Sequence, residues 1–435
     1  MKRISLKIDV DNPEKFFHNA LHWSKQFNEI LYLNSNNYYY LNTPYSYNSY
    51  GKLLAVGSYA NISLINSSFE SLKTFIDTYN DWVFGHFGYD LKNQIENLFS
   101  SNIDFIKFPD IYFFIPRYLF ILKNNQITIN YTENENINDI RRIINEIINN
   151  NVNVEVKDYG LCRFIPRVSE KEYYDNINKI KSHIYHGDIY EMNYCIEFYS
   201  PDTKIDPYLS YENLNKISPA PFSCFYKLGT HYLMCSSMER FIKKIGHKII
   251  SQPIKGTIER FGDVDIDNKN AIKLANDIKE RSENIMIVDI VRNDLSHTAL
   301  KGSVEVEELC GVYPFNHVFQ MISTISSKMD NKYHIVDVIK NAFPMGSMTG
   351  APKIRAMELI EQYEITKRGI FSGSVGYFSP ENDFDFNVVI RSLIYNEEDK
   401  YLNFMVGSAI TANSVAEREY NECLLKAKGM IECFY

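Results

Sequence analysis

The sequence predicts an α+β fold, in which strands follow one another instead of alternating singly with helices. Apolar, β-rich runs come in succession at Ser223–Leu228, Tyr232–Ser236 and Lys248–Gln252. Helix-period segments flank this block, a pattern that fits α+β packing better than a regular parallel βαβ sheet. Nothing resembles the Gly-x-Gly-x-x-Gly turn that opens a parallel dinucleotide-binding unit.

Taken in chain order, the first 160 residues alternate short β-rich runs with Asn, Ser and Tyr punctuation. Tyr38–Leu41 and Leu53–Val56 are such runs. Trp82–Asp90 is a Gly-interrupted apolar strand, Tyr112–Leu122 a longer one, and Ile137–Ile148 a helix within an Asn-rich stretch. The polar segment Asn149–Gly160 is a linker candidate. Ser169 then opens a helix with Glu172 three residues on, the pattern of a capping box. Ile177, Ile180 and Ile184 continue it at helical spacing and Gly187 closes it, before a strand at Ile189–Tyr199. A helix is expected from about Asn270 into Val291, and another is expected to be capped by Ser414 with Glu417 three residues later.

At 435 residues the chain is long enough for a large core or two domains, and its 45% hydrophobic and 23% charged content is that of a globular protein. A net charge of −8 argues against a nucleic-acid binder and requires any anionic substrate to be met by local cations or a metal. No apolar run reaches the roughly 20 residues of a membrane span, and no signal-peptide core follows Met1. The seven cysteines are scattered, with no Cys-x-x-Cys pair, so they suggest neither a disulfide framework nor a zinc site; a reducing cytoplasm is expected.

Several patterns could carry chemistry. Lys255, in Pro253-Ile254-Lys255-Gly256-Thr257 and downstream of Glu239, reads as a nucleophile or a general base, although a surface turn would look the same. From a pKa of about 10.4, holding it neutral at pH 7 costs roughly 4–5 kcal/mol, which burial or a neighbouring cation can supply. Glu280 with Glu283, and Glu419 with Glu422, are Glu-x-x-Glu pairs on one helix face each. They suit a solvated surface; if the two helices converge beside flanking Ile285, Ile287, Val288, Leu424 and Leu425, they suit Mg²⁺. The Gly-rich stretch Phe343–Lys353 feeds a helix with Pro352 near its first turn, a place for an anion or a plain helix entry. Arg391, after a strand-like run at Asn387–Ile390, and Tyr377 could clamp a carboxylate. Lys426 could instead pair with Glu422 one turn earlier.

Together these stretches resemble the chorismate-utilising enzymes, and within them the aminodeoxychorismate synthase component I group. The likeness is carried by SSMERF at 236–241, PIKGT at 253–257 and RSENIMIVDIVRNDLS at 281–296, then by FPMGSMTGAPKIRAMELIE at 343–361. SGSVGYF at 372–378, NVVIRSL at 387–393 and ITANSVAEREYNECLLKA at 410–427 complete it, and GHFGYDL at 85–91 is a weaker N-terminal signature. The resemblance implies a β-sandwich core of two sheets surrounded by helices. It divides the chain into an anthranilate synthase component I-like region, 1–155, and a chorismate-binding catalytic region, 160–432, packed as one composite unit. Glu283 and Glu422 match Mg²⁺ ligands, Glu280 and Glu419 their outer partners, Glu239 the general acid and Lys255 the nucleophile. Thr257, Tyr377, Arg391, Gly407, Ala409, Lys426 and Gln320 fall at substrate-contacting positions.

The implied reaction joins chorismate and ammonia into 4-amino-4-deoxychorismate, the precursor of p-aminobenzoate and folate. No Cys-His-Glu triad in a Gly-x-Cys-x-Gly elbow is present, so ammonia is expected from a separate glutamine amidotransferase. Anthranilate synthases carry alanine where this chain has Lys255, and isochorismate synthases a lysine where it has Glu191. Three departures stand out: Glu191 replaces a glutamine, Gln320 a histidine, and Gly407-Ser408-Ala409 a Gly-rich carboxylate-binding turn, in which Ala409 would be strained if its φ must be positive. They give some standing to a catalytically silent regulatory subunit, and Lys255 speaks against the other alternative, anthranilate synthase component I.

Overall fold

The computed structural model describes residues 2–36, 38, 47, 50–63, 69–150 and 162–434. The linker candidate 149–160 and the run at Tyr38–Leu41 fall almost wholly outside these. The first half supplies β1 (Arg3–Ile8), α1 (Pro13–Trp23), β2 (Glu29–Asn34), β3 (Lys52–Ser63), α2 (Phe69–Tyr79), β4 (Val83–Phe87), the single turn α3 (Lys92–Ile95), β5 (Ile111–Lys123), β6 (Gln126–Thr132) and α4 (Ile137–Asn149). After these come β7 (Ile165–Pro166), α5 (Glu170–Tyr185), β8 (Glu191–Ser200), α6 (Pro207–Ile217), β9 (Phe222–Leu228), β10 (His231–Ser237), β11 (Arg240–Ile245), β12 (Lys248–Gln252) and β13 (Ile254–Glu259). The chain continues through α7 (Val264–Asn276), α8 (Ile278–Ser296), β14 (Glu305–Pro314), β15 (Val318–Lys328), α9 (Ile335–Ala342) and β16 (Gly350–Ala351). It ends with α10 (Lys353–Tyr363), β17 (Ser374–Phe378), β18 (Phe384–Asn387), β19 (Ser392–Asn396), β20 (Tyr401–Ile410) and α11 (Ala416–Glu432).

The ladders are antiparallel and build two sheets. One runs β1–β6–β5–β3–β2–β9–β10–β19–β20–β8. The other runs β4–β17–β18–β11–β12–β15, with β13 and β14 also on β15. The long β5 touches both, pairing β3 along most of its length and β4 over Ile111–Phe114. Residues before and after the linker share ladders, β2 with β9 and β4 with β17, so the sheets are continuous across that point.

Strand side chains alternate between two apolar layers, the period-2 rule of a pleated strand. In β2, Leu31 and Leu33 enter a core shared with Phe113 of β5 and with Ile242 and Phe386 of the second sheet. Ile30 and Tyr32 enter another, covered by Phe16 and Phe17 of α1, Ile143 of α4 and Ile177 of α5. Both faces of the central strands are buried, which explains their nearly unbroken apolar runs.

Helix starts follow local capping chemistry. The Ser169–Glu172 capping box of α5 is formed, and α4 matches its expected range. Two expectations fail. The helix expected from Asn270 to Val291 is two helices, broken at Asp277, whose ψ of 117° is extended and whose carboxylate accepts the N–H of Glu280 to start α8. Ser414 does not cap α11: its hydroxyl accepts the N–H of Thr411 and donates to Ala409 O, so the helix begins after Val415 with no side-chain cap. All seven cysteines are buried and none is in a disulfide. Among the described residues no helix is long and apolar enough to cross a membrane.

Candidate active site

Two chain crossings between the sheets set the site. Met238 and Glu239 join β10 of one sheet to β11 of the other, and 388–391 join β18 back to β19. The crossings are tied together by Val388 N–H to Glu239 O at 3.0 Å and Ser236 N–H to Arg391 O at 3.1 Å. The strand-like run at Asn387–Ile390 is therefore not a strand beyond Asn387. Its apolar side chains fill the core while the backbone turns, and Arg391 reaches a φ of 52°.

Lys255 lies on β13 and points to Glu191 at the start of β8, with Nζ 2.7 Å from Oε1. Their side chains are only 10% and 1% exposed, so this is a buried ion pair. Burial works against the ammonium, but the carboxylates of Glu191, Glu283 and Glu239 outweigh it and hold the pKa above that of an ordinary lysine. The expectation of a neutral resting amine is thereby corrected, because the residue next to Lys255 is an anion and not a cation. Glu239 is also buried; loss of water pushes its carboxyl up to about 7, with Ser347 and Lys255 pulling the other way. On the β13–β15 ladder Thr257 donates to Gln320 Oε1 at 2.9 Å, and Gln320 is buried. Gly256 has a φ of 96°, and a Cβ there would come within 3.1 Å of Met321 Cβ and 3.3 Å of Glu280 Oε2. Glycine lets β13 bulge against α8 and brings the Lys255 strand to the acidic helix.

The two acidic helices do converge. The Lys279 ammonium lies 3.6 Å from Glu283, 3.7 Å from Glu419 and 4.0 Å from Glu280, bridging α8 and α11. Burial lowers its pKa, yet Glu283, Glu419, Glu280 and Glu422 together raise it above the ordinary value. Glu283 is pushed up to about 7 by burial, against Lys255 and Lys279, and its Oε1 is a buried oxygen with no hydrogen-bond partner. Four carboxylates converging on one cationic head group, with an acceptor left over, form a donor set of hard oxygens that suits a divalent cation. Of the flanking apolar residues, Ile287 and Val288 are buried while Ile285, Leu424 and Leu425 are exposed.

A cationic side faces this set. Lys426 pairs with Glu422 at 2.6 Å and donates to Gly407 O at 2.8 Å, so the ion-pair reading holds and reaches β20 as well. Burial raises Glu422, but Lys426, Lys279 and Lys255 bring it below the ordinary carboxyl value. Arg391 donates to Lys426 O at 3.3 Å; desolvation lowers its pKa to about 10, and Glu422 opposes that shift. Gly407 is needed by contact: a Cβ there would lie 2.5 Å from Cys195 Sγ on β8. Ala409 sits in the regular β20–β8 ladder opposite Asn193, without positive φ, so the expected strain is absent. Tyr377 is set among Trp82, Phe84 and Tyr50, with Asp385 and Arg240 as its charged neighbours, and is not brought to the lysine and glutamate cluster. The Phe343–Lys353 loop contributes Ser347 to Glu239, while Pro352 caps α10.

Lys279 and Ser347 escaped the sequence reading. The first carried a signal, standing one turn before Glu283 and beside Glu280, but a lysine there looks like a surface ion pair. Ser347 had none beyond its place in a quoted loop.

Comparison with known proteins adds the family. The chorismate binding enzyme family matches residues 36–432. Aminodeoxychorismate synthase component 1 of Escherichia coli is 33% identical over 80% of this chain and 76% of its own length. Anthranilate synthase component 1 of Aquifex aeolicus is 30% identical over 80% of this chain and 73% of its own. In three dimensions, the crystal structure of anthranilate synthase component I from Streptococcus pneumoniae superposes with a TM-score of 0.78 at 23% identity, over 87% of this chain and 91% of that one. With the two-sheet core, the converging acidic helices and this match over nearly the whole length, the chain belongs to the chorismate-utilising enzymes.

Proposed function

We propose that this chain is an aminodeoxychorismate synthase component I, joining chorismate and ammonia into 4-amino-4-deoxychorismate. The observation that carries the reading is Lys255, a buried amine 2.7 Å from the carboxylate able to take its proton and electrostatically coupled to Glu239. Chorismate carries two carboxylates, and Arg391 with Lys426 supplies positive charge on one side of the cluster. Glu283 and Glu422 would hold Mg²⁺, with Glu280 and Glu419 outside them, and Lys279 would withdraw toward solvent. Bound there, the ion would neutralise and orient a substrate carboxylate.

Glu191 accepts a proton from Lys255 as the substrate enters, freeing the Nζ lone pair. That nitrogen forms a bond to C2 of the ring; the ring double bonds shift, and the C4–O bond breaks. Glu239, protonated below about pH 7, delivers the proton that lets the hydroxyl depart as water. Ammonia then attacks C4, the double bonds return and the C2–N bond to Lys255 breaks, so chorismate plus ammonia yields aminodeoxychorismate plus water. Two allylic substitutions replace one difficult displacement. Thr257 and Gln320 line the same strand pair and suit a polar edge of the substrate. A separate glutamine amidotransferase would supply ammonia, and the reading carries with it a cytoplasmic place in folate-precursor synthesis.

One assay tests this. Purified chain, chorismate, Mg²⁺ and an ammonium salt should give a product of the aminodeoxychorismate mass with no pyruvate. Pyruvate in step with product would mean anthranilate synthesis, and no chorismate consumption would mean a silent regulatory subunit.

A further inference from the structure

We propose that His18, His22 and Glu212 form a binding site for a divalent transition-metal ion of the zinc class, on elements that carry no residue of the candidate active site. His18 and His22 stand four residues apart on α1 and so share one face, and Glu212 faces them from α6. His18 Nδ1 and His22 Nε2 each lie 2.9 Å from the same oxygen, Glu212 Oε1. The three ligand atoms all fall within 4.8 Å of one another. Zinc bonds of about 2.0–2.2 Å to nitrogen and oxygen place tetrahedral ligand atoms about 3.3–3.5 Å apart. That value lies between the 2.9 Å of the two nitrogen–oxygen pairs and the 4.8 Å that bounds the whole set, so small side-chain rotations reach it. The rings are tilted at 53° with centroids 4.7 Å apart, so their nitrogens converge on the carboxylate without the rings stacking.

Ligand type and access point the same way. The two imidazoles, borderline nitrogen donors beside a single carboxylate, favour zinc-like ions over Mg²⁺, which takes oxygen ligands. His22 is nearly buried and packs against the Tyr208 ring at 5.8 Å, which fixes one ligand. Glu212 and His18 side chains remain 25% and 39% exposed, leaving an entry and room for water as a fourth ligand. The ion would join segments 190 residues apart, clamping the N-terminal helix onto the later half of the chain. Because the unfolded chain lacks the assembled site, binding would stabilise the fold.

Zinc ion alone, titrated by calorimetry into chelator-treated full-length protein, tests the site, with thermal unfolding run in parallel. One equivalent, counted in Glu283→Gln so that the acidic helices do not add to it, should bind saturably and raise Tm. His18→Gln and Glu212→Gln should each weaken binding by more than the roughly 10–100-fold typical of an outer-sphere partner, and abolish the Tm gain. Their metal-free Tm should match the parent, which shows that the fold is kept. Glu283→Gln should leave this binding in place, separating it from the acidic helices. Absence of saturable binding, or zinc affinity unchanged in both site variants, would overturn the proposal.

Discussion

At Lys255 two large effects oppose each other, and the sum decides its resting state. Desolvation favours the neutral amine, but the Glu191 carboxylate at 2.7 Å and the more distant Glu283 and Glu239 favour the ammonium, and they prevail. Removing the amine should lower aminodeoxychorismate formation by roughly 10³-fold or more and expose C2 to ammonia, so that anthranilate leaks. Lys255→Ala also strands the Glu191 charge, at a cost of about 3–5 kcal/mol in stability by urea unfolding. Pairing it with Glu191→Gln should restore most of that stability and none of the rate; recovery of rate in the double variant would refute the covalent role. Glu239 has the opposite sign. Its pKa of about 7 lies above the unfolded carboxyl value, so the acid form is present below pH 7 and lost above it. The kcat/KM profile should fall as pH rises through about 7, and Glu239→Gln should lose about 10²–10⁴-fold and flatten that limb. Stability follows the same linkage: the contribution from protonated Glu239 is full below the unfolded pKa and declines as pH rises through about 7.

The helix break at Asp277 sets where the first acidic pair stands. By starting α8 afresh, it places Glu280 and Glu283 in the first turns, aimed at α11, where one continuous helix would have set a different phase. Asp277→Ala should cost about 1 kcal/mol of stability. The same change should raise the Mg²⁺ concentration needed for half-maximal activity, since both carboxylates move with that first turn. Glu283→Gln and Glu422→Gln should raise it further, by roughly 10–100-fold or more; metal dependence indifferent to both would dismiss the ligand assignment.

The molecule holds its site where two sheets exchange strands, and the second sheet is pinned near that exchange by buried charge. Asp385 on β18 receives Arg240 of β11 at 3.0 Å and Lys243 at 2.9 Å, all three nearly inaccessible to water. Burial raises the Asp385 carboxyl, but the two cations more than offset it and hold the pKa below the usual value. Its contribution is therefore present above the unfolded carboxyl pKa and lost as pH falls through the folded one. Asp385→Ala should cost about 3–5 kcal/mol near neutral pH, because it removes the carboxylate that both buried cations share. Denaturant midpoints compared at neutral and acidic pH should show that gap narrowing on the acid side.

Much of the local structure was legible from the sequence. The α5 capping box, the α4 range and the succession of β9, β10 and β12 depend on interactions within a few residues, which spacing and side-chain chemistry report directly. The pairing of carboxylates on helix faces is of the same kind. Other features lay beyond it. The run Asn387–Ile390 has strand composition and yet is a crossing, because apolar residues fill a core equally well from a turn. Tyr377 and Arg391 look alike as carboxylate clamps, but only Arg391 is carried to the cluster. The sequence by itself determined most of the secondary elements, though not the break at Asp277 or the crossing after Asn387, together with the acidic pairs and the family of this chain. The tertiary structure alone decided that Lys255 is charged against Glu191, that Lys279 sits among four glutamates, and that His18 and His22 meet Glu212. A charge state or a ligand set sums over groups a few ångströms apart in space, and here those groups come from segments far apart along the chain.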